Sequence, residues 1–168
     1  MSTLERVSHI SLILVSVAAL GLIVEQRLRP ATGPGRPSDI TGTKPTIPGV
    51  EWQSRSGLSL VISVSSSCRF CGESLDFYKH LSLQRRVADL SVPVFFVSNE
   101  PEDRLREFLV AGGVVEPKVI RLAPVTLGMP ATPTLLLIGP DGVVQATYIG
   151  KLSQADENRV LGTIDSAL

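Results

Sequence analysis

Three short stretches of the chain are apolar at nearly every position: LSLVISV at 58–64, VPVFFVS at 92–98 and TLLLI at 134–138. A strand wetted on one side alternates apolar and polar residues, whereas unbroken runs rich in Val, Ile and Phe suit strands buried on both faces. Between these runs the period changes. Leu75, Tyr78 and Leu81, with Phe77 four residues before Leu81, make a helical stripe that predicts a helix from about 68 to about 86. NEPEDRLREFLVAGG at 99–113 sets Pro101 and acidic residues in a first turn, Leu105, Phe108 and Leu109 on one face, and Gly112 as a stop. After the third run, GPDG at 139–142 turns the chain back into a strand at 143–148. Ser153 and Asp156, in capping-box spacing, open a last helix that carries Val160, Leu161 and Ile164. A further strand is expected at 50–54. Strand, helix, strand, helix, hairpin, helix predicts a right-handed parallel unit extended by antiparallel strands, hence a three-layer α/β/α sandwich around a mixed sheet.

The amino-terminal region has a different pattern. Residues 7–24, VSHISLILVSVAALGLIV, form an apolar run of 18 residues, enough for one transmembrane helix. A cleaved signal sequence is the alternative, but no small-x-small site follows the run. Residues 1–29 are therefore expected to be a membrane anchor. Arg6 precedes the run while Arg27, Arg29 and Arg36 follow it, a distribution that on charge alone favours a cytoplasmic tail. Residues 30–48 hold five prolines and three glycines among small polar residues and read as a semi-extended linker. The domain is expected to occupy 49–168.

Charge narrows the choice of partner. Lys+Arg and Asp+Glu are equal at 16 each in 168 residues, so no strong field draws the chain to nucleic acid. The two cysteines, Cys68 and Cys71, are too few for the disulfide framework of a small secreted scaffold.

These two cysteines carry the candidate chemistry. Cys68 stands where the first strand gives way to a helix, so unpaired amide N–H groups and the positive helix end favour its thiolate, and Arg69 adds a positive charge. Cys71 lies one turn further in, against the sheet. The outer thiol would attack and the inner one resolve. An inert staple is the plain alternative, although so short a loop stabilises little. A zinc site needs four ligands, and His80, nine residues beyond Cys71, is displaced by roughly 13 Å along a helix. Metal binding would then need a two-coordinate ion such as Cu(I). Further on, MPATPT at 129–134 places Pro133 directly before a strand, by itself an ordinary turn signal.

Taken together, an apolar strand, CxxC opening a helix and ATPTLLLIGPDGVV some 60 residues later resemble the thioredoxin-like superfamily over residues 52–168. With the anchor and linker, the chain looks like a membrane-attached redoxin of TlpA type. The resemblance implies that Cys68 attacks and Cys71 resolves, that the Thr132-Pro133 bond is cis, and that the Thr132 backbone pairs with an incoming substrate. It implies no cofactor and no resident metal. Partners would be protein disulfides or dithiols and an upstream electron donor, met on the extracytoplasmic side of a cell membrane. Two departures stand out: Ser67 replaces the usual Trp before the first cysteine, and Ile62 stands six residues before Cys68, where the best-known members carry a buried acid. Glu73 is the candidate substitute proton acceptor for Cys71, and Arg69, Phe70 and Glu73 are candidate modulators. Two other functions suit the same residues. One is a peroxiredoxin-like thiol peroxidase, since Ser65 lies three residues before Cys68. The other is a non-catalytic tethered thiol or Cu(I)-binding module.

Overall fold

In a computed structural model of the chain, residues 40–52, 57–87 and 92–166 are described. The expected anchor and residues 30–39 of the expected linker lie outside them. Among the described residues no helix is long and apolar enough to cross a membrane.

The elements run β1 (Ser59–Ser63), α1 (Arg69–Glu73), α2 (Leu75–Val87), β2 (Val94–Ser98), α3 (Glu102–Ala111), β3 (Lys118–Arg121), a 3-10 turn (Pro124–Leu127), β4 (Thr134–Ile138), β5 (Val144–Ile149) and α4 (Gln154–Ser166). They build one mixed sheet in the order β3-β2-β1-β4-β5. The first three strands are parallel, with Val61 beside Phe95 and Phe96 beside Val119. On the other side of β1, β4 and β5 run antiparallel, with Val61 beside Leu136 and Leu135 beside Tyr148. The unbroken apolar runs are central strands: β1, β2 and β4 are buried at every position. Their side chains divide by the period of two. Leu60, Ile62, Phe96, Leu135 and Leu137 face one core, while Val61, Phe95, Val97, Leu136 and Ile138 face the other.

The two faces are covered differently from the expected α/β/α sandwich. Cys71 of α1, Phe77, Tyr78 and Leu81 of α2, Leu105 and Leu109 of α3, and Val160 and Ile164 of α4 all join the first core. Two right-handed crossovers that step the same way, β1 to β2 to β3, put both their helices on the same face. Among the described residues the opposite face has no α-helix. Ile47, Trp52, Leu127 and Met129 cover it instead.

This changes the expected linker boundary too. Residues 40–48 belong to the fold: Ile47 is buried, Gly42 N–H donates to Val144 O at 2.8 Å, and Val144 N–H donates to Thr43 O at 2.9 Å. Proline and small polar residues exclude a helix there, but one isoleucine and a run of backbone hydrogen bonds suffice to seat the segment. Trp52 Nε1 donates to Pro45 O at 2.8 Å, and its ring meets Phe95 edge-on. Gly142, at φ 79°, makes the hairpin turn, and a Cβ there would come within 2.8 Å of Trp52. Residues 50–52 form no strand, and 53–56 are outside the described residues.

The helix expected from 68 to 86 is broken at Ser74. Its Oγ donates to Phe70 O at 2.8 Å, a back-bond that competes with the helical ladder, and its N–H donates to Cys71 O at 3.2 Å. Gly112 stops α3 with its N–H on Phe108 O, and Ser153 Oγ accepts Asp156 N–H at 3.2 Å ahead of α4. β3 was not expected from the pattern. It is an edge strand of four residues, KVIR, in which only Val119 is buried.

Candidate active site

β1 and β2 are parallel neighbours, so the segments after Ser63 and Ser98 leave the sheet at the same edge. The Cys68 turn occupies that edge. Ser65 O accepts Cys68 N–H at 3.1 Å, and Cys68 O accepts Gly72 N–H at 3.1 Å as the first bond of the helical turn. Cys68 is the N-cap of α1, in extended conformation at φ −84° and ψ 117°. Its Sγ accepts Cys71 N–H at 3.3 Å, the N-cap bond that a serine or aspartate oxygen ordinarily makes.

From across the sheet edge comes the Thr132-Pro133 segment, whose peptide bond is cis. Cys68 Sγ–H donates to Thr132 O at 3.2 Å. Ser63 at the end of β1 fixes this segment: its Oγ accepts Thr134 N–H at 2.9 Å and donates to Ala131 O at 3.1 Å. Gly150 N–H donates to Pro133 O at 2.7 Å. The structure thus brings Cys68, Cys71, Thr132 and Pro133 together. Beside them a cleft of about 340 Å³ opens between Val64, Ser65, Asn99, Pro124, Met129 and Thr132.

The two thiols are both free and differ sharply. Partial burial opposes ionisation of Cys68, but hydrogen bonds from the Cys71 and Thr132 side chains and from the Cys71 and Phe70 amides outweigh it, and its pKa falls below the ordinary thiol value. Cys71 is wholly buried in the first core. Burial, then the hydrogen bond it gives Cys68, push its thiol up to about 12, although the Ser65 amide works the other way. The two thiols are thus shifted in opposite directions, Cys68 toward the thiolate and Cys71 toward the protonated thiol.

The candidate modulators act differently from expectation. Arg69 does not turn to Cys68: its Nε lies 2.7 Å from Glu73 Oε1, and Lys151 Nζ lies 3.2 Å from the second oxygen, Oε2. Thiolate stabilisation therefore comes from the Cys71 and Thr132 side chains and the Cys71 and Phe70 amides rather than from Arg69. Glu73, with both oxygens engaged, is held below the ordinary carboxylate range by the Arg69 and Lys151 hydrogen bonds, which makes it a poor proton acceptor for Cys71. Ile62 is fully buried where an acid was expected, so the core beside the cysteines is apolar at that position. Phe70, inside the CxxC turn, is 53% exposed. Among the described residues no group of three His, Cys, Asp or Glu side chains is placed to hold a metal ion.

The residue that the sequence reading missed is Glu100. It follows β2, and its carboxylate accepts Ser65 Oγ–H at 2.6 Å, Ser66 N–H at 3.0 Å and Ser66 Oγ–H at 2.6 Å. Arg104 Nε donates to Ser66 Oγ at 3.0 Å. A signal was available: Glu100 is the first charged residue after a buried strand parallel to the one that leads to Cys68.

No protein-family model and no curated protein matches the sequence. Solved structures do match. A protein of Chlorobium tepidum, provisionally named thiol:disulfide interchange protein DsbE, superimposes with a TM-score of 0.60 at 21% identity over 76% of this chain and 96% of that one. The chain has a thioredoxin-like fold. Other structures sharing this thioredoxin-like fold differ in function by name. The peroxidoxin BcpB of Mycobacterium tuberculosis gives a TM-score of 0.58 at 13% identity over 76% and 97% of the two chains. A secreted disulfide oxidoreductase of the same organism gives 0.51 at 11% identity over 75% and 94%. At such identities the likeness is one of fold, and the chemistry has to be argued from the site.

Proposed function

We propose that the chain is a thiol-disulfide oxidoreductase that exchanges the Cys68/Cys71 dithiol and disulfide with protein partners. The observation that carries this reading is the contrast between the cysteines: an accessible thiol with a lowered pKa, 3.3 Å from the amide of a buried thiol whose pKa is raised. The Cys68 thiolate attacks one sulfur of a partner disulfide. A Cys68–partner disulfide forms and the partner's other sulfur leaves as a thiolate. Cys71 then gives up its proton and attacks Cys68 Sγ, closing the intramolecular disulfide and expelling the second partner thiolate. The partner gains two electrons and the chain loses two. With Ile62 in place of an acid and Glu73 tied up in ion pairs, the departing partner thiolate is the base at hand for the Cys71 proton. The Thr132 backbone, at the rim of the cleft, would pair with the partner segment.

The finer reading places this domain on the extracytoplasmic face of a membrane, held by a single helix at residues 7–24, and working as a reductase in the manner of TlpA-type redoxins. Its support is the length of the apolar run and the motif resemblance. Protease access to the tail in intact cells tests the side. Titration against glutathione tests the direction, and a potential near or above about −150 mV would overturn the reductase reading.

Trapping tests the exchange chemistry. The full chain carrying Cys71→Ser should accumulate mixed disulfides through Cys68, and Cys68→Ser should accumulate none. Failure of the first variant to trap any partner overturns exchange. A peroxidase reading has the peroxidoxin fold in its favour, but the Ser65 hydroxyl on which it rests donates to Glu100 at 2.6 Å. Peroxide consumption that survives loss of Cys71 but not of Cys68 would restore it.

A further inference from the structure

We infer that Glu100 is a positioning residue for Cys68, acting through the Ser65-Ser66 turn, and the inference rests on the exchange reading above. Neither cysteine touches Glu100 in any of the interactions described. What it touches is the turn between them and the sheet. Ser65 ties the turn to the first cysteine: its carbonyl accepts the Cys68 backbone N–H at 3.1 Å. The Ser65 hydroxyl, by contrast, is committed to Glu100 Oε1 at 2.6 Å, and the next residue is held twice, through N–H at 3.0 Å and Oγ–H at 2.6 Å. Three donors from two consecutive residues on one carboxylate fix both the position and the twist of the turn.

The consequence for Cys68 is geometric. It accepts the Cys71 N–H only while its backbone stays extended at the N-cap, and the Ser65 carbonyl is the bond on its amino-terminal side that keeps it there. A serine-only turn has little preference of its own, because each hydroxyl can bond several local backbone groups. Glu100 removes that freedom. Ser98 Oγ anchors Glu100 in turn by accepting its N–H at 3.2 Å, and Arg104 holds the outer side of Ser66. The side chain of Glu100 is only 16% exposed, so its charge persists there because these donors compensate it.

Position and charge predict opposite outcomes, which makes the inference testable. A carboxylate near a thiol raises the thiol pKa, so deleting the charge alone would make Cys68 more reactive. Loosening the turn weakens the N–H bonds to its sulfur and makes it less reactive. The experiment is alkylation of the reduced full chain by iodoacetamide as a function of pH, with mass spectrometry reporting modification at Cys68. Glu100→Ala should move the profile to higher pH and slow alkylation at neutral pH by roughly threefold or more. Glu100→Gln, which keeps one carbonyl acceptor for the turn, should fall between Ala and wild type. Ser66→Ala deletes only the outer hydroxyl, and is expected to give a smaller shift of the same sign if Glu100→Ala does not fold. Profiles of the folded variants that coincide with wild type, or that move to lower pH, overturn the inference. Alkylation needs no partner protein, so its result stands apart from the trapping test of exchange.

Discussion

Cys68 lies between two clusters of the same make-up, each built on a glutamate and an arginine four residues apart. Arg69 and Glu73 lie after it on α1, and Glu100 and Arg104 lie across the sheet edge at the start of α3. By ion-pair distance the first is the better made, at 2.7 Å against 3.6 Å. By surroundings the order reverses. Arg69 is 85% exposed and Glu73 33%, with the third member, Lys151, also exposed at 43%. Exposed pairs of this kind are screened and contribute little. Glu100 is half as exposed as Glu73 and has obligations to three donors on another segment. The difference teaches that what a charge organises matters more at this site than how near its counter-ion is.

The largest effect expected from this contrast is on stability. Glu100→Ala leaves the Ser66 amide and two serine hydroxyls without their charged acceptor in a partly buried turn. It should destabilise the reduced chain by roughly 2–4 kcal/mol, measured by urea denaturation. Glu73→Ala should lower the urea midpoint far less. Equal losses from the two variants would erase the distinction.

A smaller, more discriminating effect lies in acid. For Glu100, burial opposes ionisation, but the Ser65 and Ser66 hydrogen bonds outweigh it and its pKa lies below the ordinary carboxylate value. A depressed folded-state pKa contributes stability that is present above the unfolded pKa, about 4.3 for Glu, and lost as pH falls through the lower folded value. Glu73 is shifted the same way by the Arg69 and Lys151 hydrogen bonds. Salt separates them, since screening reaches the exposed triad far more than the serine-bound carboxylate. Denaturation midpoints above the ordinary carboxylate range should therefore lose their small Glu73 dependence in high salt. The Glu100→Gln variant should show a flatter acid limb than wild type at any salt concentration. A wild-type acid limb that salt abolishes would contradict the contrast.

Much of the fold was legible because its strands are buried on both sides. Continuous apolar runs mark β1, β2 and β4 directly, and GPDG marks the hairpin. β3 was illegible for the complementary reason: an edge strand with a single buried residue leaves no apolar run to read. The covering of the second face by residues 40–52 was hidden because its buried apolar side chains in that core are only Ile47 and Trp52, too few beside Pro45 and Pro48 to make a periodic pattern. At the site, Cys68 and Cys71 were singled out by their spacing, and Thr132 and Pro133 by the family resemblance. Glu100 escaped because its partners lie 34 and 35 residues earlier in the chain, and only the parallel register of β1 and β2 brings them together.

The smallest expected effect is the one most able to break the contrast. Sequence alone pointed to Arg69 as the charge that activates Cys68, being the next residue. In the structure its guanidinium points to Glu73, so the thiolate meets a largely compensated pair, and what stabilises it comes from the Cys71 and Phe70 amides and the Cys71 and Thr132 side chains. Arg69→Ala should then change the rate of Cys68 alkylation at neutral pH by less than about twofold, and still less in high salt. Lys151 would remain on Glu73, so no new unpaired carboxylate appears near the thiol to raise its pKa. A tenfold slowing on loss of Arg69, reversed by lysine at the same position, would mean that the exposed cluster does reach the thiolate. The activation of Cys68 would then belong to a neighbouring charge rather than to the turn that Glu100 holds.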